Sequence, residues 1–242
     1  HVCFRGLFPI PPFLAFLSNL YASFPSPLDY IIYDIFTSLS ATRNLPFILR
    51  NRIIWTFGHG LNSTNRFSGR HETILWFSKG EQAAFNLDDV RVPQKYPGKR
   101  AYKGPNKGEL SGNPLGKNPS DVWEIPNVKA QHIEKTDHPC QFPIVIPQRL
   151  IKALAPTNGL ILDPFMGVGT TGVAAFLEEK RFVGAEIQED YYDISVARLE
   201  DASNGNIKMR EDKPIVEPNT NTAVAKLPDE FRKVREANNE QK

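Results

Sequence analysis

The chain is 242 residues long, which suits one α/β domain carrying an insertion. Its 29 basic and 27 acidic residues leave a net charge of only +2, so global charge gives no sign of a polyanionic partner. The sequence lacks a metal-ligand spacing of cysteines, a disulfide framework and an apolar run of the roughly 18 residues that a membrane helix needs, so we expect no metal, no membrane and a reducing, cytoplasmic location.

The amino-terminal part begins with a proline-rich stretch and continues into three predicted elements. We interpret residues 1–27 as a degenerate amino-terminal segment. Apolar side chains recur at helical spacing from 28 to 39 and predict an amphipathic helix. Residues 47–57 and 71–78 are rich in β-branched and aromatic side chains, so each of them predicts a strand.

Residues 90–118 differ in composition from the rest of the chain. Nine of them are glycine or proline, which predicts little regular structure. Seven are basic against Glu109 alone, and Tyr96 and Tyr102 lie among them. Basic side chains neutralise phosphates and aromatic rings stack on bases, so we interpret the stretch as a DNA contact, with a solvated flexible loop as the alternative. The candidate contact residues are Arg91, Lys95, Lys99, Arg100, Lys103 and Lys107.

A histidine–proline element precedes the next predicted helix. His138, Gln141 and Phe142 lie in the run His-Pro-Cys-Gln-Phe-Pro, and a helical pattern follows from 145 to 154. Pro147 falls in the first turn of that helix, where a missing backbone N–H costs little. Taken alone, His138 is an ordinary loop histidine, and its interest comes from the segment that follows it.

The run 160–172 joins an apolar strand, an Asp-Pro-Phe step, a glycine loop and the start of a helix. Asp163 falls at the carboxyl edge of the strand, and Gly167 and Gly169 permit close approach of a ligand to the backbone. Thr170 begins a helix whose N-terminus favours anionic groups. This context predicts a nucleotide-type pocket, in which the Asp163 carboxylate suits a cationic group such as an ammonium.

The remaining segments extend the same pattern. Residues 181–187 predict the next parallel strand, ending near Glu186, whose carboxylate is placed to hold ribose hydroxyls. A helix is predicted from 191 to 199. Beyond it we expect a short edge strand at 207–210, a linker at 213–225, and an amphipathic helix that carries Leu227, Phe231 and Val234.

Together these segments resemble the S-adenosylmethionine motifs of the DNA methyltransferases that modify adenine N6 or cytosine N4, in the permuted (beta-class) order. The resemblance implies an α/β fold, with a Rossmann-like S-adenosylmethionine-dependent methyltransferase sheet and a basic loop insertion. It also implies methyl transfer to an exocyclic amino group of double-stranded DNA, by a methyltransferase domain at 28–200 with its target-recognition insertion at 80–135 and a tail at 201–242. The implied cofactor-binding residues are Asp163, Phe165, Gly167, Gly169, Thr170 and Glu186, with His138, Gln141 and Phe142 covering the cofactor.

The motif expected to carry catalysis in that family is not found. An Asp, Asn or Ser before Pro-Pro-aromatic would accept hydrogen bonds from the target amino group, but the nearest match, Ile10-Pro11-Pro12-Phe13, offers no side-chain acceptor. We interpret this match as a chance resemblance and assign no catalytic residue. Unless residues 1–27 supply a substitute strand, the sheet is incomplete, and the cofactor half is competent while the catalytic half is impaired or absent.

Two other functions stay open at this point. One is a catalytically impaired DNA-binding remnant of the family, whose hallmark is the missing acceptor before Pro-Pro. The other is a nicotinamide-dependent oxidoreductase, since Gly167, Gly169 and Gly172 also fit the dinucleotide pattern. The Asp-Pro-Phe step and the His-Pro element count against the oxidoreductase.

Overall fold

The computed structural model of the chain describes residues 29–33, 47–58, 62–129, 131–211 and 226–239. The Ile10–Phe13 match, the substitute strand considered for residues 1–27 and the linker predicted at 213–225 lie outside the described residues. Among the residues that the structure does describe, no helix has both the length and the hydropathy needed to cross a bilayer.

Four strands form the first sheet, in the order β1-β3-β2-β4. Strand β3 runs antiparallel to both β1 and β2, and β4 runs parallel to β2. The strands predicted at 47–57 and 71–78 are confirmed to within a residue. The strand bounds are β1 Asp29–Tyr33, β2 Phe47–Thr56, β3 His71–Lys79 and β4 Val122–Glu124.

The helix predicted at 28–39 is wrong where the structure describes it, because residues 29–33 form β1. Ile31 stands opposite Trp76 in a continuous antiparallel ladder with β3. The five residues Asp-Tyr-Ile-Ile-Tyr are rich in β-branched and aromatic side chains, which favour a strand once a partner is available. Pairing along β3 therefore overrides the helical spacing of the apolar residues.

The second unit is a parallel strand pair with helices. Strand β5 pairs with β6, with Leu162 opposite Val183, and a helix crosses between them as in a βαβ unit. The helices predicted at 145–154 and 191–199 and the strand that ends at Asp163 are confirmed. In chain order the elements are α1 Val145–Leu154, β5 Leu160–Asp163, α2 Thr170–Leu177, β6 Arg181–Gly184 and α3 Glu189–Ser203.

Two predicted strand segments differ from the structure. Strand β6 ends at Gly184 and not at Ile187. The Ala185 N–H still donates to Asp163 O at the end of β5 (3.1 Å), but Ala185 O accepts from the Met166 N–H of the glycine loop (3.0 Å), so the pairing with β5 stops there. The predicted edge strand at 207–210 is wrong. Its Arg210 N–H donates to a carboxylate oxygen of Glu134 (3.0 Å), so a side chain takes the place of a neighbouring strand.

Helix α1 lies between two hydrophobic clusters and joins the two units. Its Leu150 belongs to a cluster with Ile53 and Trp123 of the first sheet, while Ile151 belongs to a cluster with Val173 of α2. The helix can serve both sides because apolar residues cover most of its surface and seven of its ten residues are buried. Among the described residues, no strand pairing joins the two sheets. Packing on both sides of α1 connects them.

The predicted carboxyl-terminal helix is confirmed as α4 Asp229–Asn239. Its Phe231 is buried, and Arg235 Nε donates a hydrogen bond to Pro114 O (2.8 Å) of the basic insertion. This helix therefore docks on the insertion. It begins two residues after Leu227, whose apolar spacing with Phe231 helped to predict it.

Candidate functional site

The glycine loop between β5 and α2 has a backbone that favours glycine at two positions. Gly167 and Gly169 have φ angles of 52° and 72°, in the left-handed region that side chains resist. A Cβ at Gly169 would lie 2.8 Å from Ser195 Cβ, and one at Gly167 would lie 3.3 Å from His138 Nε2. The loop is therefore held closely between α3 and the histidine–proline element, and residues 166–170 are buried.

Asp163 stands at the carboxyl end of β5, directly before this loop. Its Oδ1 accepts a hydrogen bond from the Phe165 N–H (3.1 Å), and the Thr171 hydroxyl also donates to its carboxylate. Burial nevertheless raises the pKa of Asp163, with a smaller contribution in the same direction from the nearby Glu186. A cationic ligand would stabilise this poorly hydrated carboxylate, because the positive charge would offset the loss of hydration.

Glu186 links the two strand ends. Its Oε2 accepts from the Gly167 N–H (2.9 Å), and its Oε1 accepts from the N–H groups of Ile187 and Gln188 (both 2.9 Å). This carboxylate is therefore fixed in position, in contrast to a freely solvated strand-end acid. Because Oε1 already accepts two hydrogen bonds and Oε2 only one, Oε2 keeps acceptor capacity for a hydroxyl group of a ligand.

Two apolar side chains flank the acidic pair. Phe165 is 46% exposed and Ile187 is 81% exposed, although both lie in ordered backbone at the ends of neighbouring parallel strands. Exposed apolar groups beside two carboxylates suit a ligand with a flat hydrophobic ring and several polar arms. Ile187 was missed by the sequence analysis, although its position directly after Glu186 was a usable signal.

His138 lies against the glycine loop, and its predicted role of covering the cofactor stays a prediction. Its ring packs edge-on against Tyr191 at 4.6 Å between centroids, and its Nδ1 accepts from the Cys140 N–H (3.2 Å). Burial lowers the pKa of His138; Glu186 acts in the opposite direction, and Lys135 lowers it further. A neutral imidazole over the loop is thus the favoured form.

Gln141 and Phe142 lie behind this histidine. The Gln141 amide is buried, accepts from the N–H and hydroxyl of Thr136 (3.0 and 2.8 Å) and donates to Glu134 O (2.7 Å). Phe142 packs against the cluster of the first sheet. Their contacts shape the loop that carries His138.

Thr170 also faces inward. Its side chain is 3% exposed, and its hydroxyl accepts a hydrogen bond from Arg198 Nη1 (3.0 Å). Gly172, the third glycine, lies against the Phe182 ring, where a Cβ would come within 2.7 Å. Through these contacts, the two residues fix how α2 packs against α3 and β6.

The basic insertion forms an ordered arm, here called the basic arm (residues 91–117). Val92 and Lys117 exchange two backbone hydrogen bonds at its base (3.0 and 2.9 Å), and Ala101 exchanges two with Gly108 and Glu109 near its tip (both 2.9 Å). Isolated bridges and turns take the place of regular strands within the arm, in accordance with its composition.

Side chains of the basic arm divide into two groups. Arg91 is largely buried at the base, where it pairs with Asp88 (2.5 Å) and donates to Gly116 O (3.1 Å). At the tip Tyr102 is 90% exposed, and the lysines around it are exposed as well. The tip therefore presents an aromatic ring among positive charges, whereas Arg91 holds the arm together. The exposed basic residues are Lys95, Lys99, Arg100, Lys103, Lys107 and, at the base, Lys117.

The parallel βαβ unit, the glycine loop and the paired acidic strand ends define an α/β protein with a nucleotide-type site. Comparison with known proteins makes this class specific: the family model N6_N4_Mtase, described as DNA methylase, matches residues 22–197. The chain belongs to this N6/N4 DNA methylase family, which confirms the resemblance found in the sequence.

Curated relatives agree with this assignment. The chain is 48% identical over 169 residues to the Type II methyltransferase M.BglII of Bacillus subtilis, covering 70% of the chain and 45% of that protein. It is 42% identical over 180 residues to the Type II methyltransferase M.ScaI of Streptomyces caespitosus, covering 72% of the chain and 55% of that protein. The chain thus spans about half the length of these relatives.

Solved structures confirm the predicted methyltransferase fold. The PvuII DNA methyltransferase, described as cytosine-N4-specific, aligns with a TM-score of 0.57 at 17% identity, over 93% of this chain and 76% of its own. The M1.HpyAVI complex with SAM aligns with a TM-score of 0.52 at 22% identity, over 80% of this chain and 84% of its own. At such identities the likeness concerns the fold alone.

Proposed function

We propose that this chain binds S-adenosylmethionine and DNA as part of a methyltransferase that modifies the exocyclic amino group of adenine (N6) or cytosine (N4). The observation that carries the proposal is the arrangement at the strand ends. Two carboxylates, Asp163 and Glu186, flank a left-handed glycine loop beside exposed Phe165 and Ile187. The curated relatives named as Type II methyltransferases support the same interpretation.

The site suits each part of S-adenosylmethionine. Asp163, whose pKa is raised by burial, would pair with the ammonium of the methionine moiety. Glu186 would accept hydrogen bonds from the ribose hydroxyls, and Phe165 and Ile187 would contact the adenine ring. His138 would cover the loop from the side of α3. When bound, the cofactor supplies the methyl group, and the residues named here bind and orient it.

DNA is the second proposed ligand, and we propose that the double-stranded form binds along the basic arm. Exposed lysines at the tip would neutralise phosphates and release counterions, and Tyr102 would stack on a base or pack on the sugar backbone. Arg91 would contribute by holding the base of the arm, since its guanidinium already pairs with Asp88. We also propose a cytoplasmic location, where such a DNA substrate is found.

A catalytically impaired remnant is the second candidate. Among the described residues, β5 bonds to β6 alone and β1 bonds to β3 alone, so each has an edge with no strand partner there. The described residues also contain no Pro-Pro-aromatic motif that would carry a hydrogen-bond acceptor for the target amino group. On this interpretation the chain binds cofactor and DNA without transferring the methyl group. The oxidoreductase interpretation is set aside by the family match.

A methyl-transfer assay separates the two candidates. The protein would be incubated with DNA of mixed sequence and S-adenosylmethionine carrying a labelled methyl group, and the digested nucleosides would be separated by mass. Label in N6-methyladenine or N4-methylcytosine supports the enzyme and names the base. Binding of both ligands without label in DNA supports the remnant, and labelled cytosine C5 contradicts the proposal.

A further inference from the structure

Arg198 of α3 reaches the glycine loop from its buried side. Its side chain is 6% exposed, and Nη1 donates to Val168 O (2.6 Å) and to Thr170 Oγ1 (3.0 Å). These two acceptors stand on either side of Gly169, the residue with the left-handed backbone at the start of α2. One guanidinium therefore fixes both flanks of the loop's sharpest turn.

A guanidinium in this position is energetically unfavourable by itself. Burial lowers the pKa of Arg198, and Nη2 has no hydrogen-bond partner among the described residues. Buried charges are normally paired, because removing them from water is costly. An arginine retained here therefore calls for a compensating negative charge nearby.

Glu134 is the acidic residue whose charge acts on Arg198. It is 4% exposed, and its electrostatic interaction with Arg198 opposes the effect of burial on the arginine. Its Oε2 accepts from the Ile144 N–H (2.8 Å) at the start of α1, and its Oε1 accepts from the Arg210 N–H (3.0 Å). The carboxylate thus joins the first turn of α1 to the segment that follows α3.

Glu134 is also connected to the loop that carries His138. Its backbone carbonyl accepts from Gln141 Nε2 (2.7 Å), and Gln141 in turn accepts from Thr136 two residues before the histidine. Glu134 therefore bonds to the loop that carries His138, while Arg198 bonds to the glycine loop. The two loops are thus held by two buried side chains of opposite charge, which interact electrostatically without a direct hydrogen bond.

We propose that Glu134 and Arg198 are positioning residues that hold the glycine loop and the His138 loop in the shape that binds S-adenosylmethionine. The inference rests on the proposed cofactor role of this loop. Without Arg198 the Val168 carbonyl and the Thr170 hydroxyl no longer share a donor. The Val168–Gly169 peptide is then held only through the Gly169 N–H, which donates to Met166 O (2.8 Å), and the Thr170 side chain loses its bond to α3, so the loop is less preorganised. Cofactor affinity should fall although both side chains act from the buried side.

The test compares four variants by calorimetric titration with S-adenosylmethionine and by thermal unfolding without ligand. Arg198→Met removes the donor, and we expect the dissociation constant to rise about 10- to 100-fold, as for loss of a hydrogen bond to a charged group. Arg198→Lys keeps the charge but cannot serve both acceptors with the same fork, so it should be intermediate. Glu134→Gln should weaken binding, and the double variant Glu134→Gln/Arg198→Met should be no weaker than Arg198→Met alone.

Arg50→Met is the matched control. Arg50 is also a partly buried arginine that donates to a side-chain oxygen and a backbone carbonyl, at Ser78 Oγ (2.6 Å) and Gly80 O (2.8 Å), but it lies in the first sheet. We expect this variant to lower the unfolding temperature and to leave the affinity for S-adenosylmethionine unchanged. All titrations are made well below the lowest unfolding temperature.

The outcomes separate this inference from the proposed function. If the unmodified protein does not bind S-adenosylmethionine, both are overturned. If it binds, and Arg198→Met and Arg198→Lys bind within twofold of it, the positioning role alone is overturned. An equal loss of affinity in Arg50→Met would also overturn it, because the effect would then follow general stability. If Arg198→Met does not fold, the affinities of Arg198→Lys and Glu134→Gln decide. Binding within twofold of the unmodified protein by both variants would overturn the positioning role.

Discussion

The proposed cofactor site and the basic arm place their charges in opposite ways. Around the glycine loop, Asp163, Glu186 and Arg198 are partly or fully buried, and each is held by hydrogen bonds to backbone groups. In the basic arm the backbone makes the ordering contacts, and lysines project into solvent around Tyr102. A small ligand with fixed geometry needs the first arrangement, and a polyanion bound through counterion release needs the second.

The largest effect should follow Gly169→Ala, because it acts on the most constrained point of the cofactor site. A side chain in the left-handed region costs roughly 1–2 kcal/mol, and a Cβ 2.8 Å from Ser195 Cβ adds about 1–3 kcal/mol of overpacking. Chemical unfolding should show a loss of stability equal to the sum of these two costs. Calorimetric titration with S-adenosylmethionine should show that cofactor binding is lost. Gly205→Ala is the control: its φ is +71° but nothing lies within 4 Å of the new Cβ, so only the smaller strain should appear.

Asp163→Asn should separate affinity from stability. Loss of the charge-assisted bond to an ammonium should weaken S-adenosylmethionine binding about 10- to 100-fold in calorimetry. The folded-state pKa of Asp163 is raised, so ionisation of this carboxylate at neutral pH opposes folding. The ligand-free variant should therefore unfold at the same or a higher temperature. Equal weakening by Asp193→Asn, an exposed acid on α3, would contradict a specific role for Asp163.

For the basic arm we expect a graded effect on DNA affinity. Lys103→Ala with Lys107→Ala should reduce the slope of log affinity against log salt by about 0.9 for each phosphate that is no longer neutralised, so by up to about 2. Fluorescence anisotropy with a DNA duplex at several salt concentrations measures this slope. Cofactor affinity should not change, and Lys129→Ala, an exposed lysine outside the basic arm, should leave the slope as it was. An unchanged slope in the double variant would show that these two lysines at the tip do not contact DNA phosphates.

The smallest effect concerns pH. Because burial depresses the pKa of His138 below 6.5, the unfolded chain binds more protons in this range, and stability should rise as the pH increases from the folded-state pKa to about 6.5. Unfolding temperatures measured on the acid side of neutrality test this slope. His138→Phe should flatten the pH dependence. A stability that increases towards acid pH in the unmodified protein, and not in this variant, would show that His138 is charged in the fold.

Segments with local signals were predicted well from sequence. The strand before Asp163, the helix after Gly169 and the helix with Pro147 in its first turn follow from patterns a few residues long, and the structure confirms them. The strand at 29–33 was mistaken for a helix, because its conformation depends on pairing with β3, whose residues lie more than forty positions away. The domain boundaries stay predictions.

The supporting residues of the site could not be found in the same way. Glu134 and Arg210, which are hydrogen-bonded, are 76 positions apart in the sequence, and Arg198 and Val168 are 30 apart. No short sequence motif therefore predicts either hydrogen bond. In sequence Glu134 is one acid in a polar loop, and Arg198 is one cation in an amphipathic helix. Their proposed roles follow from contacts between distant segments, which only the folded chain brings together.

Calorimetric titration of the unmodified chain with S-adenosylmethionine and, separately, with NAD tests the central claim most directly. We expect one S-adenosylmethionine to bind per chain and NAD to give no heat of binding, since Asp163 and Glu186 suit an ammonium and ribose hydroxyls. Binding of NAD in place of S-adenosylmethionine, or of neither ligand, would contradict the assignment of the glycine loop as the cofactor site.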